Sequence, residues 1–68
     1  MPTELFFSNG ATVKVVADLQ DVADALESGR TLLDSNRFAG FRGEDAVAAE
    51  RVVVNLAAIS HAGAIAVP

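Results

Sequence analysis

Apolar and polar residues along the first seventeen positions alternate as they would in a β-hairpin. Glu4 to Ser8 reads as an aromatic-rich strand and Ala11 to Ala17 as its return. Asn9-Gly10 between them is a strong hairpin signal. A type I′ turn needs positive φ at both central positions, and Asn and Gly tolerate it best. In the return strand Val13 and Val15 share one face, while Thr12, Lys14 and Val16 share the other.

The period then changes. Leu19, Val22, Ala23 and Leu26 fall at i, i+3, i+4 and i+7, which predicts one buried stripe on a helix from about Leu19 to Ser28. Asp18 stands where an N-cap side chain accepts from free backbone N–H groups. Gly29 stands where a left-handed residue ends a helix. Asp21, Asp24 and Glu27 are placed on the outer side.

Residues 31 to 50 carry the weakest pattern. Thr31 to Asp34 fits either a continuation of the helix or a new short element. Asp34-Ser35-Asn36 and Gly43-Glu44-Asp45 read as turns, and Ala46 to Glu50 as a polar-rimmed connection. Phe38 and Phe41, three apart with Gly40 between, are reconciled by a strand with a bulge at Gly40. Val52-Val53-Val54 predicts a strand buried on both faces. Asn55 to Ile59 continues it or makes one helical turn, and Gly63 to Val67 is a final apolar strand. The expected fold is α+β: residues 1–68 as one domain, an N-terminal hairpin, one main helix, and two to three further strands completing a small antiparallel or mixed sheet that the helix covers.

Composition sharpens this picture in one respect. Hydrophobic residues make up 51% of the 68, yet Phe6, Phe7, Phe38 and Phe41 are the only aromatic ring hydrophobes and there is no Trp or Tyr. Alanine and valine bury little area each, and a chain this short buries only ~60% of the surface its unfolded form exposes. The chain has no cysteine and a single histidine, so neither a disulfide nor a zinc site is expected to staple it. Good packing or oligomerisation remains as the staple, and a core of small residues points to the second. The scarcity of lysine beside Ala, Val, Asp and Arg fits a GC-rich bacterial genome.

Net charge is −4, and nine acids outnumber five scattered cations. A phosphate-binding surface needs clustered cations, so nucleic acid is an unfavoured partner unless assembly concentrates the arginines. The opening Met1 to Phe7 is acidic where a secretory signal is basic. The uncharged run from Val52 to Pro68 includes Asn55, Ser60, His61 and Gly63, which suits core strands better than a membrane span of ~20 apolar residues. A cytoplasmic location and no membrane association are the expectations.

The candidate chemistry is sparse. His61 needs a nucleophile or an orienting carboxylate to serve as a base. Its neighbour Ser60 would face the opposite side of a regular strand, so no dyad is expected. The sequence has no G-x-G-x-x-G, G-x-x-x-x-G-K or G-x-S-x-G pattern and lacks an EF-hand loop. Arg37 and Arg42 flanking Phe38 and Phe41 make a weak version of a base-stacking platform. Asp21, Asp24 and Glu27 form an acidic helix face, read as a solubilising surface or as the docking surface of a basic partner. Ala62 to Val67 is an uncharged, apolar strand suited to an edge, and such edges are normally covered or paired. Ile65 and Val67 are therefore the candidate self-association residues. The expectation is a noncatalytic, cofactor-free protein–protein interaction module that self-associates, with a nucleic-acid-binding regulator as the alternative.

Overall fold

A computed structural model describes the backbone of residues 1–68 and every side chain except that of Ala48. The element order is β1 (Thr3–Phe7), β2 (Thr12–Val15), α1 (Leu19–Glu27), β3 (Leu32–Arg42), β4 (Asp45–Asn55), a 3₁₀ turn (Leu56–Ala58) and β5 (Ile59–Ala64). The five strands form one antiparallel sheet in the order β4-β3-β2-β1-β5. The α+β class and the N-terminal hairpin are as the sequence implies.

The hairpin turn differs in kind. Among the described residues only glycines have positive φ, so Asn9-Gly10 is not a type I′ pair. The Gly10 N–H donates to the Phe7 carbonyl at 3.0 Å and the Phe7 N–H to the Ala11 carbonyl at 2.9 Å. The loop is therefore three residues, Ser8 to Gly10, with Gly10 alone left-handed at φ 90°. The Asn9 side chain instead accepts from the Ala11 N–H at 2.9 Å, a local bond asparagine makes readily in turns.

The helix runs close to its expected bounds but is rotated from the expected stripe. Val22 and Ala25 are buried, whereas Leu19 and Leu26 are exposed. Asp18 is the N-cap by position, yet its side chain makes no capping bond and pairs with the Met1 ammonium at 2.6 Å. The C-terminus is a Schellman motif. The Arg30 N–H donates to the Ala25 carbonyl and the Gly29 N–H to that of Leu26, with Gly29 at φ 75°.

Residues 31 to 50 depart furthest from expectation. The chain turns at Thr31 and enters β3, which passes straight through Asp34-Ser35-Asn36, and Ala46 to Glu50 belongs to β4. These polar residues are held in the strand by cross-strand partners. Arg51 grips Asp34 through Nε–Oδ1 at 2.8 Å and Nη2–Oδ2 at 2.5 Å. The Val16 N–H donates to the Asn36 carbonyl at 2.9 Å. Gly43-Glu44 makes the tight turn between β3 and β4. The β3–β4 register slips between Phe38 and Phe41, where a bulge at Gly40 was expected, and again between Arg37 and Phe38. The three valines do not share a doubly buried environment: Val54 is buried, Val52 half-buried and Val53 exposed. Their strand is an edge with one covered face.

Leu5, Val15, Leu33, Val54 and Leu56 form the core with Val22 and Ala25 of the helix. Nine helical residues lying on five strands cover part of one sheet face, not the whole of it. The opposite face carries Glu4, Phe6, Lys14, Asp34, Arg51 and His61, placed there by the strand registers. No helix among the described residues is long and apolar enough to cross a membrane.

Candidate functional site

The acidic helix face and the C-terminal edge lie in different parts of the molecule. Asp21 and Asp24 line a cleft of about 470 Å³ between α1 and the start of β3, with Ala25, Arg30, Leu33 and Asp34 on its other walls. Glu27 is exposed on the same helix but is not part of that lining. Asp24 accepts from the Gln20 side-chain amide at 2.9 Å. Among the described residues no three His, Asp or Glu side chains converge closely enough to hold a metal ion. Asp34 is already occupied by Arg51, whose hydrogen bond holds the Asp34 carboxyl below the usual carboxylate range and raises the guanidinium in turn. The cleft is a solvated acidic concavity with a single arginine at its rim.

The arginines do not combine. Arg51 is bound to Asp34, and Arg37 pairs with Glu50 at 2.8 Å. Phe38 is buried and packs edge-to-face on Phe41 with ring centroids 5.4 Å apart. The buried Phe38 ring presents no face to a nucleobase, which leaves the half-buried Phe41 as the one ring of this segment with appreciable exposure.

Ser60 and His61 depart from the sequence reading. The pairing of β1 with β5 slips between Phe6 and Phe7, so that His61 opposes Phe6 and Ile59 opposes Phe7. Ser60 is the extra residue. That bulge breaks the alternation that would have separated the two side chains, and Ser60 Oγ lies 3.0 Å from His61 Nδ1. Ser60 Oγ also lies 3.1 Å from the Phe6 carbonyl, to which it donates. The His61 ring stacks on Phe6 with centroids 4.3 Å apart and 7° between planes. Among the described residues no carboxylate is hydrogen-bonded to the other ring nitrogen. Ser60 and His61 are both exposed, and neither lines the acidic cleft.

The C-terminal edge is where the sequence analysis placed it, with different boundaries. β5 is an edge strand of the sheet, but it spans Ile59–Ala64 in place of residues 62 to 67. Ile65 and Val67 lie just beyond it. Ile65 is half-buried and its N–H donates to the Pro2 carbonyl at 2.8 Å, while Val67 is exposed. That one hydrogen bond fixes the orientation of the strand on the C-terminal side of the Ser60 bulge. Backbone groups alternate in direction along a strand, so if the Ile65 N–H points to β1, the N–H and C=O groups of Ala62 and Ala64 point away from it, to the open side. Beyond the Ser60 bulge no charged side chain or proline guards this row. Ile59 to Ala64 contains no Asp, Glu, Lys, Arg or Pro. The other edge is β4, which carries Asp45, Glu50 and Arg51 and a bulge beside Arg37.

The signal for the edge was present in the sequence as the uncharged run. The signal for the Ser60 bulge was absent, because nothing in Ile59-Ser60-His61 specifies where the register slips. Compared with protein-family models, curated proteins and solved structures, the chain matches none.

Proposed function

We propose that this protein is a noncatalytic interaction module that works as a self-associated species, of the kind found among small bacterial adaptors and regulators. The observation that carries the reading is the β5 edge, with the backbone groups of Ala62 and Ala64 directed to the open side and no charged side chain in the strand. Unpaired edges of this kind template pairing with another chain, and natural proteins blunt or cover them. A second source of support is the central core cluster, in which valine and alanine supply four of the seven buried positions among the described residues and which association would enlarge. The noncatalytic part of the reading rests on Ser60 and His61. Their contact is solvent-exposed, outside the acidic cleft, and the serine hydroxyl is shared with a backbone carbonyl.

Light scattering coupled to size exclusion at micromolar concentration tests the reading. A mass of about twice the 7.0 kDa chain or a higher closed multiple is expected. A concentration-independent monomer overturns it.

A further inference from the structure

We infer that the occupant of the β5 edge is β5 of a second copy, paired antiparallel about a two-fold axis through Gly63 to make one continuous ten-stranded sheet. This rests on the proposed self-association and assigns it a surface and a geometry. Two features select a second copy. Each molecule carries a net charge of −4, so two copies meet with least repulsion along an edge strand without Asp, Glu, Lys or Arg, and of the two edges only β5, Ile59–Ala64, is such a strand. A strand paired antiparallel with itself is also self-complementary and closes at two chains. Pairing of β5 with the charged β4 edge of the next copy would instead propagate.

The register follows from the outward-facing groups. Antiparallel strands exchange both hydrogen bonds between residues whose backbone groups face each other. Ala62 and Ala64 are the residues of β5, clear of the Ser60 bulge, whose groups face outward. Pairing Ala62 with Ala64 of the other copy, and the reverse, uses both and leaves Gly63 opposite Gly63. A centre at Ala62 would run Ala64 into the bulge at Ser60. A centre at Ala64 would need Ala66, which lies outside the strand. Gly63 at the centre then sits in the closely spaced, non-hydrogen-bonded kind of pair, where Cα atoms are ~4.5 Å apart. In the same register Ile65 lies opposite His61 of the other copy, the last position before the Ser60 bulge.

The cysteine-free chain makes this directly testable. A Cβ added at Gly63 meets no atom within 4 Å, and Gly63 is not among the glycines with positive φ, so Gly63→Cys is compatible with the fold. Two such cysteines across the axis fall within the ~4.4–6.8 Å Cα range of a disulfide. Mild oxidation is expected to convert Gly63→Cys to a covalent dimer much faster than Ala39→Cys, whose thiol stands on the exposed face of the β3–β4 hairpin. In parallel, Ala64→Pro removes an outward N–H and fills the edge with the proline ring while leaving the β1 ladder intact. Checked for folding by circular dichroism and melting, it is expected to run as a monomer at concentrations where the parent is dimeric. A folded Ala64→Pro that keeps the parent's mass overturns the edge assignment. If that variant does not fold, Gly63→Cys decides alone, and oxidation no faster than in Ala39→Cys overturns the two-fold. A parent that is itself monomeric is a different result, which removes the proposed function as well.

Discussion

The rotation of α1 on the sheet can be tested by comparing two substitutions one turn apart. Val22 is fully buried in the core, whereas Leu26 is 48% exposed. Val22→Ala deletes two methyl groups, a transfer loss of about 1.6 kcal/mol at ~0.8 kcal/mol per buried carbon. The residual cavity adds to this, and alanine's better helix propensity returns about 0.5 kcal/mol. The net expectation is a loss of about 2 kcal/mol. In a domain of this size each kcal/mol moves the melting temperature by ~4–8 °C, so the variant is expected to melt roughly 10 °C below the parent. Leu26→Lys is expected to cost under about 1 kcal/mol. The lysine stem retains part of the apolar contact, and its charge lies in the last turn, at the negative end of the helix dipole. Chemical denaturation monitored by circular dichroism, with slopes compared to confirm two-state behaviour, measures both. A greater loss for Leu26→Lys than for Val22→Ala would falsify the packing described and restore the stripe that periodicity alone suggests.

Other elements give independent checks. Gly29→Ala forces a Cβ into a left-handed residue at φ 75° and is expected to cost about 1–2 kcal/mol by denaturation. An unchanged midpoint would remove the Schellman motif from the account. Asn55→Ala deletes the side-chain oxygen that accepts from the Ala57 N–H at 3.0 Å, with an expected loss of about 1 kcal/mol; Asn55→Asp, which keeps an acceptor, is expected to stay near the parent. The Asp34 carboxyl is held below its ordinary range by its hydrogen bond to Arg51. A group depressed in the folded state contributes stability above its unfolded pKa and loses it as pH falls through the folded value. Carboxyl resonances followed by NMR are expected to show Asp34 titrating late in an acid titration, and to move up towards the ordinary range in Arg51→Gln. Asp34 titrating identically in both proteins would show that the pair does not persist in solution.

The parts of the fold set by local chemistry were legible in the sequence. Turn residues at Asn9-Gly10, the period between Leu19 and Leu26, and Gly29 each act over a few residues, and the hairpin and helix lie within a residue or two of expectation. Errors came where the deciding partner is distant. Asp34-Ser35-Asn36 has turn composition, but the guanidinium seventeen residues away and the N–H of Val16 hold it in a strand. The helix stripe was ambiguous because Leu19 and Leu26 are more apolar than Ala25, and only the sheet beneath decides which side is covered. Val52-Val53-Val54 pointed to a strand buried on both faces, but β-branched residues suit a half-covered edge equally well, and only the neighbouring strands decide which it is. The candidate site divides along the same line. An uncharged C-terminal edge was visible in composition, whereas its true span, Ile59–Ala64, depends on the partner strand β1 and on a bulge without a sequence signature.

The Ser60 bulge links these observations. By placing one extra residue against Phe6 and Phe7, it brings Ser60 Oγ beside His61 and lays the imidazole on the Phe6 ring. It also interrupts the outward row of backbone groups at the start of β5, so that the regular open edge begins after it. Bulges of this kind are one of the devices that stop edge-to-edge pairing, and in the proposed pair the one at Ser60 would confine the contact to a short stretch centred on Gly63. The other edge is guarded at its middle and its start by different means. Glu50 and Arg51 of β4 are tied to Arg37 and Asp34 of β3, which fixes charge along that strand, and a second bulge lies beside Arg37. In the proposed pair the β5 edge of each copy is covered, and the edges left open are the two β4 strands with their charges and bulge. That difference between β4 and β5 is the physical reason for proposing a closed pair in preference to an extending filament.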